Sequence, residues 1–303
     1  MSGKVLILGA SGRFGRHAAE AFWNAGWRVN LFNRETDDLV RAARGVDVIV
    51  NAWNPPYTEW ARTVPAMTAE VIRAASLHDA TVIVPGNVYV FGKSAPERLR
   101  PDTPHQATNP LGRIRTEMEA AYRASGVRTI ILRGGDFIDT EASGNWFDEV
   151  IVSKLDKGIV TLPGPEDRPH AWAYLPDMAR AAVALAERRE TLEPFTDVGF
   201  PGYALTLGQL AERIGQAGGM DVRTRAFPWW QLVPALPFWA MGRRLFEMRY
   251  LWSMPHRIDS TAFDTLLPEF RATDPVPALA RAIRHKVHPD NAVAGRLAHV
   301  AAE

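Results

Sequence analysis

Residues 5–22 read VLILGASGRFGRHAAEAF. Val5–Leu8 is a short apolar run that breaks into glycines, the pattern of a parallel strand buried on both faces. Gly9, Gly12 and Gly15 follow in GxxGxxG spacing. In such a loop the first glycine permits a tight turn and the second lets backbone approach a pyrophosphate. The third lets helix pack closely on strand. From Arg13 to Asn24 apolar residues recur at helical spacing, with Phe14, Ala18, Ala21 and Phe22 on one side. The loop therefore opens a helix whose N-terminus faces phosphate charge. Strand, glycine loop and helix in this order predict a dinucleotide-binding βαβ unit. Its cofactor-binding residues are expected to be Gly9, Ala10, Ser11, Gly12, Arg13, Phe14 and Gly15.

The same texture continues outward. WRVNLF (27–32), VDVIVNA (46–52), ATVIVPG (80–86) and VRTIILRGG (127–135) read as further strands. Thr58–Ser76 and Gly112–Ala124 read as helices between them. Alternation of this kind predicts an α/β fold built on a doubly wound parallel (Rossmann) sheet. After Gly135 proline and tryptophan become frequent, but YLPDMARAAVALAERRE (174–190) is again an amphipathic helix and FTDVGFPG (195–202) a further strand. The expected organisation is a dinucleotide-binding domain over 1–135, completed by about 171–200. A smaller, interleaved substrate-binding lobe is expected over 136–170 and 201–303, with a tail that frays after Lys286.

Composition narrows the function. The chain has 303 residues, 47% hydrophobic and 23% charged, enough for one large globular unit with a sizeable core. Its formal net charge is +1, with no basic field that would point to nucleic acid. The absence of cysteine excludes disulfides, thiolate catalysis and cysteine-ligated metals, and fits a reducing cytosol. The first strand begins at about Lys4, too early for a secretory leader. WWQLVPALPFWAMG (229–242) is too short to span a bilayer, which needs about 20 residues. The expectation is a cytoplasmic protein with a small-molecule substrate and no nucleic-acid or membrane partner; a homodimer stays open.

Strand two ends in NLFNRET (30–36). A carboxylate at that place grips the adenosine ribose and marks NAD. Here Asn33 stands there, followed by Arg34, and Arg13 lies in the glycine loop. Guanidinium groups beside a missing carboxylate suit a ribose 2′-phosphate, so NADP is expected over NAD.

With these residues in hand, the chain resembles the extended short-chain dehydrogenase/reductase superfamily, in its NAD-dependent epimerase/dehydratase branch. The resemblance covers nearly the whole chain. It rests on GASGRFG, on DVIVNA as the floor that brings Ala52, Trp53 and Asn54 to the cofactor, and on VPGNVYVFG (84–92), where Pro85 and Gly86 lead into the family's serine- or threonine-bearing segment. It continues through NPLGRIRTEME (109–119), similar to the family's PYGxSKxxxE helix, LRGGDFID (132–139) and HAWAYLPDMARAAV (170–183).

The resemblance implies hydride transfer by a Tyr and a Lys four residues apart on one helix, with a Ser or Thr at a strand end. Lysine holds ribose and lowers the tyrosine pKa; tyrosine moves the proton. In this sequence Leu111 takes the tyrosine position, Arg115 the lysine position and Asn87 the serine position. Arginine can still hold ribose, and an asparagine amide can polarise a carbonyl. Leucine transfers no proton. Tyr89, two residues beyond Asn87, is the first replacement acid, with Tyr57, Asp136, His105 and His170 behind it. The expected catalytic set is Asn87, Tyr89 and Arg115.

His285 and His288, with Asp290 nearby, lack a third fixed ligand, and no metal is expected. The Trp/Pro-rich stretch Phe227–Met254 reads as lobe packing, a substrate lid or an interfacial face; Arg243, Arg244 and Arg249 could receive an anionic substrate. Two functions remain open. One is an NADP(H)-dependent oxidoreductase, or an epimerase/dehydratase-like enzyme, acting on a small carbonyl or sugar-like substrate. The other is a non-catalytic NADP(H)-binding redox sensor.

Overall fold

The computed structural model describes residues 3–287. Strand β1 (Lys4–Leu8) leads into helix α1 (Arg13–Asn24), and Gly26, at φ +78°, turns the chain into β2 (Arg28–Phe32). A four-residue helix α2 (Leu39–Ala42) leads directly to β3 (Val48–Asn51), followed by α3 (Trp60–His78) and β4 (Thr81–Gly86). The short β5 (Arg98–Leu99) precedes α4 (Pro110–Ser125) and β6 (Thr129–Arg133).

The lobe begins with β7 (Asp136–Ile138), β8 (Ile159–Leu162) and β9 (Pro169–Tyr174). Helix α5 (Leu175–Glu187) and β10 (Phe195–Gly199) then return to the main sheet. After them come β11 (Tyr203–Thr206), α6 (Leu207–Gly218), β12 (Arg223–Ala226), α7 (Trp229–Leu232) and α8 (Ala240–Glu247). The described chain closes with β13 (Arg257–Ile258), α9 (Thr261–Leu266), α10 (Pro275–Ala282) and a last helical turn.

Six strands form one parallel sheet in the order β10-β6-β4-β3-β1-β2. The alternation of β1 shows why its apolar run is continuous. Val5 and Ile7 join one core layer with Phe14 and Phe22 of α1 and Met178 of α5, while Leu6 and Leu8 join the opposite layer with Val71 of α3. Both faces are thus covered by helices, α1 and α5 on one side and α3 and α4 on the other. The chain leaves β1 for β2 on one side and returns to β3 on the other. That reversal opens the crevice in which such sheets bind ligands.

Among the described residues no strand lies outside β2, which pairs with β1 alone and exposes Leu31. One change from the sequence expectation is at α3. It begins at Trp60 because Tyr57–Glu59 form a separate 3₁₀ turn after Pro55 and Pro56. The Trp60 indole N–H donates to the Pro55 carbonyl at 2.9 Å and fixes that turn against the helix.

In the lobe, β9 pairs parallel with β7 and antiparallel with β11, and β8 pairs with β12. A third core layer there gathers Phe147, Trp172, Tyr174, Leu210, Trp252 and Leu279. No helix among the described residues is long and apolar enough to cross a membrane.

Candidate functional site

The glycine loop has the shape its spacing demands. Gly9 adopts φ +76°, and the Gly12 N–H donates to its carbonyl at 2.9 Å. A Cβ on Gly15 would sit 2.0 Å from the Gly9 carbonyl oxygen, so helix and turn touch backbone to backbone. Gly12 caps α1 without a side chain, and the first turn carries no acid. The helix N-terminus is thus left to an external anion. Ala10 and Ser11 line the loop at the surface.

Two of the expected contact residues have other partners here. The Phe14 ring is buried in the core between α1 and α5, so that residue can offer a cofactor only its backbone. Arg13 does not stand free beside Arg34. Its Nε donates to the Ser143 carbonyl at 2.8 Å and its Nη2 to the Gly144 carbonyl at 2.6 Å, bracing the loop against the lobe. The rest of α1 does the same. Asp139 accepts from His17 Nε2 at 2.8 Å and pairs with Arg16 at 2.5 Å. Burial pushes the Asp139 carboxyl up, but these partners win and hold it below its ordinary value.

At the end of β2, Asn33 and Arg34 are exposed, and the Arg34 side chain has no partner among the described residues. The Asn33 N–H donates to the Asp37 carboxylate at 2.8 Å, while Asn33 Oδ1 accepts the Glu35 N–H at 3.0 Å. A carboxylate therefore does reach this strand end, folded back from four residues downstream. Trp53 walls the same end, its ring edge-on to Phe32 with the centroids 5.5 Å apart. Ala52 lies under the loop, its carbonyl 3.0 Å from where a Gly9 Cβ would be.

At the other end of the cleft, the Tyr57 and Tyr89 hydroxyls are hydrogen-bonded at 2.7 Å. Burial pushes both above the ordinary tyrosine value, Tyr89 the more strongly; the Asp136 charge adds to this and Arg115 opposes it. Both are therefore neutral O–H donors. Arg115 is buried, with its guanidinium 4.3 Å above the Trp60 ring and Nη2 donating to Asn54 Oδ1 at 2.9 Å. Its Nε is buried without a partner. Asn87, at the end of β4, accepts the Tyr89 N–H on Oδ1 at 3.0 Å, which leaves its Nδ2 available. Pro85 and Gly86 form the strand end beneath it, where a Gly86 Cβ would meet Ile131 at 2.6 Å.

Asp136 and His170 add a second pair. His170 Nε2 lies 2.6 Å from Asp136 Oδ2, and its ring stacks on Trp252 at 4.5 Å and 7°. Behind it, burial and the neighbouring His170 push His256 down to about 3, so that ring is neutral.

No protein-family model matches the sequence. No curated protein matches it either. Solved structures do. MoeE5 in complex with UDP-glucose and NAD gives a TM-score of 0.70 at 16% identity, over 93% of this chain and 98% of that one. The UDP-glucuronic acid 4-epimerase from Bacillus cereus, in complex with UDP-glucuronic acid and NAD, gives 0.71 at 14% identity over 93% and 98%. A dTDP-4-dehydrorhamnose reductase from Clostridium acetobutylicum gives 0.70 at 15% identity over 92% and 98%. The fold is that of the extended short-chain dehydrogenases/reductases.

On this dehydrogenase/reductase fold, Leu111 is fully buried and packs with Met248, Leu251 and Met254 of the lobe. Glu247, the last residue of α8, closes the position from outside. Its Oε1 accepts the Leu111 N–H at 2.8 Å and the Asn109 amide at 2.9 Å. The position where the sequence resemblance expects a tyrosine is thus a core contact at the start of α4.

His105 belongs to a separate cluster of charged groups. It lies 3.7 Å from Glu119, in a cluster where Arg133 pairs with Glu119 at 2.7 Å and Asp197 at 2.5 Å. The guanidinium already sits between these carboxylates, which is why His105, Glu119 and Asp197 read as an ion-pair network. Of the histidines near the C-terminus, His285 is half-buried with neither ring nitrogen partnered, and His288 and Asp290 lie outside the described residues.

Proposed function

We propose that the protein is a nicotinamide-dinucleotide oxidoreductase, or an epimerase/dehydratase-like enzyme, that acts on a small carbonyl or sugar-like substrate with Tyr89 as the proton donor. The observation that carries this reading is the Tyr57–Tyr89 hydroxyl pair at 2.7 Å, set beside Arg115 and Asn87 at the strand end that follows the glycine loop across the sheet.

The residues fit the cofactor. The glycine cradle has no room for a Cβ, and the α1 N-terminus is uncapped. Gly9–Gly15 would take the pyrophosphate, and Trp53, Asn33 and Arg34 the adenosine end. Arg115, with its unpartnered Nε, would take the ribose next to the reacting ring. When bound, the dinucleotide supplies the hydride to a carbonyl carbon or receives it from a carbinol.

The chain's own residues handle the oxygen and its proton. Asn87 Nδ2 donates a hydrogen bond to the carbonyl oxygen and stabilises charge that develops there. Tyr89 gives that oxygen its proton. Tyr57 orients the Tyr89 hydroxyl and can pass a proton on to it, so a neutral phenol is regained.

The phosphorylated cofactor is proposed over NAD because Asn33 stands where a ribose-gripping carboxylate would, and Arg34 is exposed and has no partner among the described residues. NAD is the second reading, favoured by the Asp37 carboxylate at the same strand end and by neighbours solved with NAD. A sensor is the alternative to an enzyme, favoured by the buried Leu111. The experiment is a titration with NADPH and NADH, followed by a screen of aldehydes, ketones and nucleotide sugars for cofactor oxidation. Cofactor binding without oxidation of any substrate would leave the sensor.

A further inference from the structure

From Val222 to Phe246 the chain carries no Asp or Glu, but four arginines: Arg223, Arg225, Arg243 and Arg244. In the middle of this stretch the largest apolar side chains point outward. Phe238 is 94% exposed, Trp230 73%, Val233 48% and Trp239 39%. Isolated apolar residues on a surface need no explanation, but four exposed within ten residues of chain do.

The protrusion is built, not loose. Trp229 turns inward, donating its indole N–H to the Pro163 carbonyl at 2.8 Å and packing on Trp146 and Phe246. Its neighbour Trp230 turns out. Arg243 Nη1 donates to the Leu236 and Pro237 carbonyls at 3.0 and 2.9 Å, which fixes the turn before Phe238 and sets a guanidinium beside it. Trp239 lies flat over Gly242, where a Cβ would come within 2.0 Å of its ring. On β12, Arg223 and Arg225 share one exposed side, while Thr224 points the other way to Glu166.

We propose that this protrusion docks the protein on an anionic lipid surface, with Trp230, Phe238 and Trp239 entering the headgroup boundary and Arg223, Arg225 and Arg243 pairing with lipid phosphates; Arg244 is already paired with Glu247. The sequence expectation of no membrane partner considered only spanning segments; a peripheral contact needs none. Charge decides the occupant. A tip of tryptophan and phenylalanine that carries no carboxylate of its own, flanked by the exposed Arg223, Arg225 and Arg243, complements a layer that is apolar within and negative at its edge. A lid over the cleft would need these rings to face inward, and it is Trp229 and Phe246 that do.

The test uses the full chain and does not depend on turnover. Flotation is measured with vesicles of phosphatidylcholine alone, and of phosphatidylcholine with about one-third phosphatidylglycerol. The expected result is binding to the anionic vesicles that weakens with salt, together with a blue shift of tryptophan emission. Phe238→Asp should lower that affinity roughly tenfold or more. Arg243→Gln should lower it about fivefold, as expected for one cation near such a surface. Thermal melting of both variants shows that they fold. The proposal is overturned by absence of flotation at low salt, or by a folded Phe238→Asp that binds as the wild type does. A wild-type dimer that Phe238→Asp converts to monomer, without vesicle binding, would overturn it too, and would assign the patch to a second copy.

Discussion

Tyr57, from the turn before α3, and Tyr89, from the turn after β4, share a hydrogen bond of 2.7 Å between their hydroxyls. Neither lies on α4, the helix on which the sequence resemblance expects the acid. Under the proposed function the proton source therefore lies off α4, while Arg115, on α4, holds its guanidinium over Trp60.

Tyr57→Phe leaves Tyr89 without its orienting partner. Turnover should fall by roughly tenfold, less than for loss of the donor itself, with cofactor affinity unchanged. Asn87→Ala removes a donor to the developing oxyanion and should cost on the order of 10²-fold in kcat. Steady-state kinetics against one accepted substrate checks both.

The pH dependence follows from burial. Desolvation raises the Tyr89 pKa well above its ordinary 10.0, so the acid form persists below that raised value. The neutral phenol is the species that reduction requires. The reductive kcat should therefore show no decline assigned to this group as pH rises toward 10.0. Oxidation of an alcohol needs the phenolate and should increase across the same range. A reductive profile with a midpoint near neutrality would contradict the assignment of Tyr89.

The proposed cofactor choice rests on Arg34 and Asp37. Arg34→Asp should weaken NADPH binding by roughly 10- to 100-fold, the worth of a charge-assisted contact to phosphate, and leave NADH nearly unchanged. Asp37→Asn should act in the opposite sense, improving NADPH relative to NADH. Equal losses for both cofactors in a calorimetric titration would remove Arg34 from the site.

Restoring the family tyrosine should fail. Leu111 is fully buried and its N–H is held by Glu247. Leu111→Tyr should destabilise the fold by about 1–3 kcal/mol through overpacking, with no gain in rate. Chemical denaturation and a rate assay together check this.

Arg133→Met tests the buried network under the site. It leaves Glu119 and Asp197 without their shared cation and should cost about 3–5 kcal/mol, seen as a lower Tm.

Much of this architecture was legible because it rests on short-range rules. The Arg13–Asn24 helix was readable to the residue from its apolar period and from Gly26. The parallel sheet was readable from strands of uninterrupted Val, Ile and Leu. What depends on tertiary partners was not. Phe14 has helical spacing suited to either loop contact or core, and only the packing of α5 decides for core. Arg13 looked like a phosphate ligand until the lobe carbonyls of Ser143 and Gly144 met it. Asp37 escaped notice because it reaches the β2 end through a local side-chain turn and not through strand position. Trp229 and Trp230 are adjacent and alike in sequence, yet one is core and the other surface.

The central claim is hydride transfer with Tyr89 as the proton donor. Its most direct test is NADPH oxidation by wild type and Tyr89→Phe against the carbonyl panel, with NADPH affinity measured on both proteins. The account predicts wild-type turnover on at least one carbonyl, a loss of roughly 10²- to 10⁴-fold in Tyr89→Phe, and equal cofactor affinities. Turnover in Tyr89→Phe at the wild-type rate would contradict it, as would tight NADPH binding with no oxidation across the whole panel.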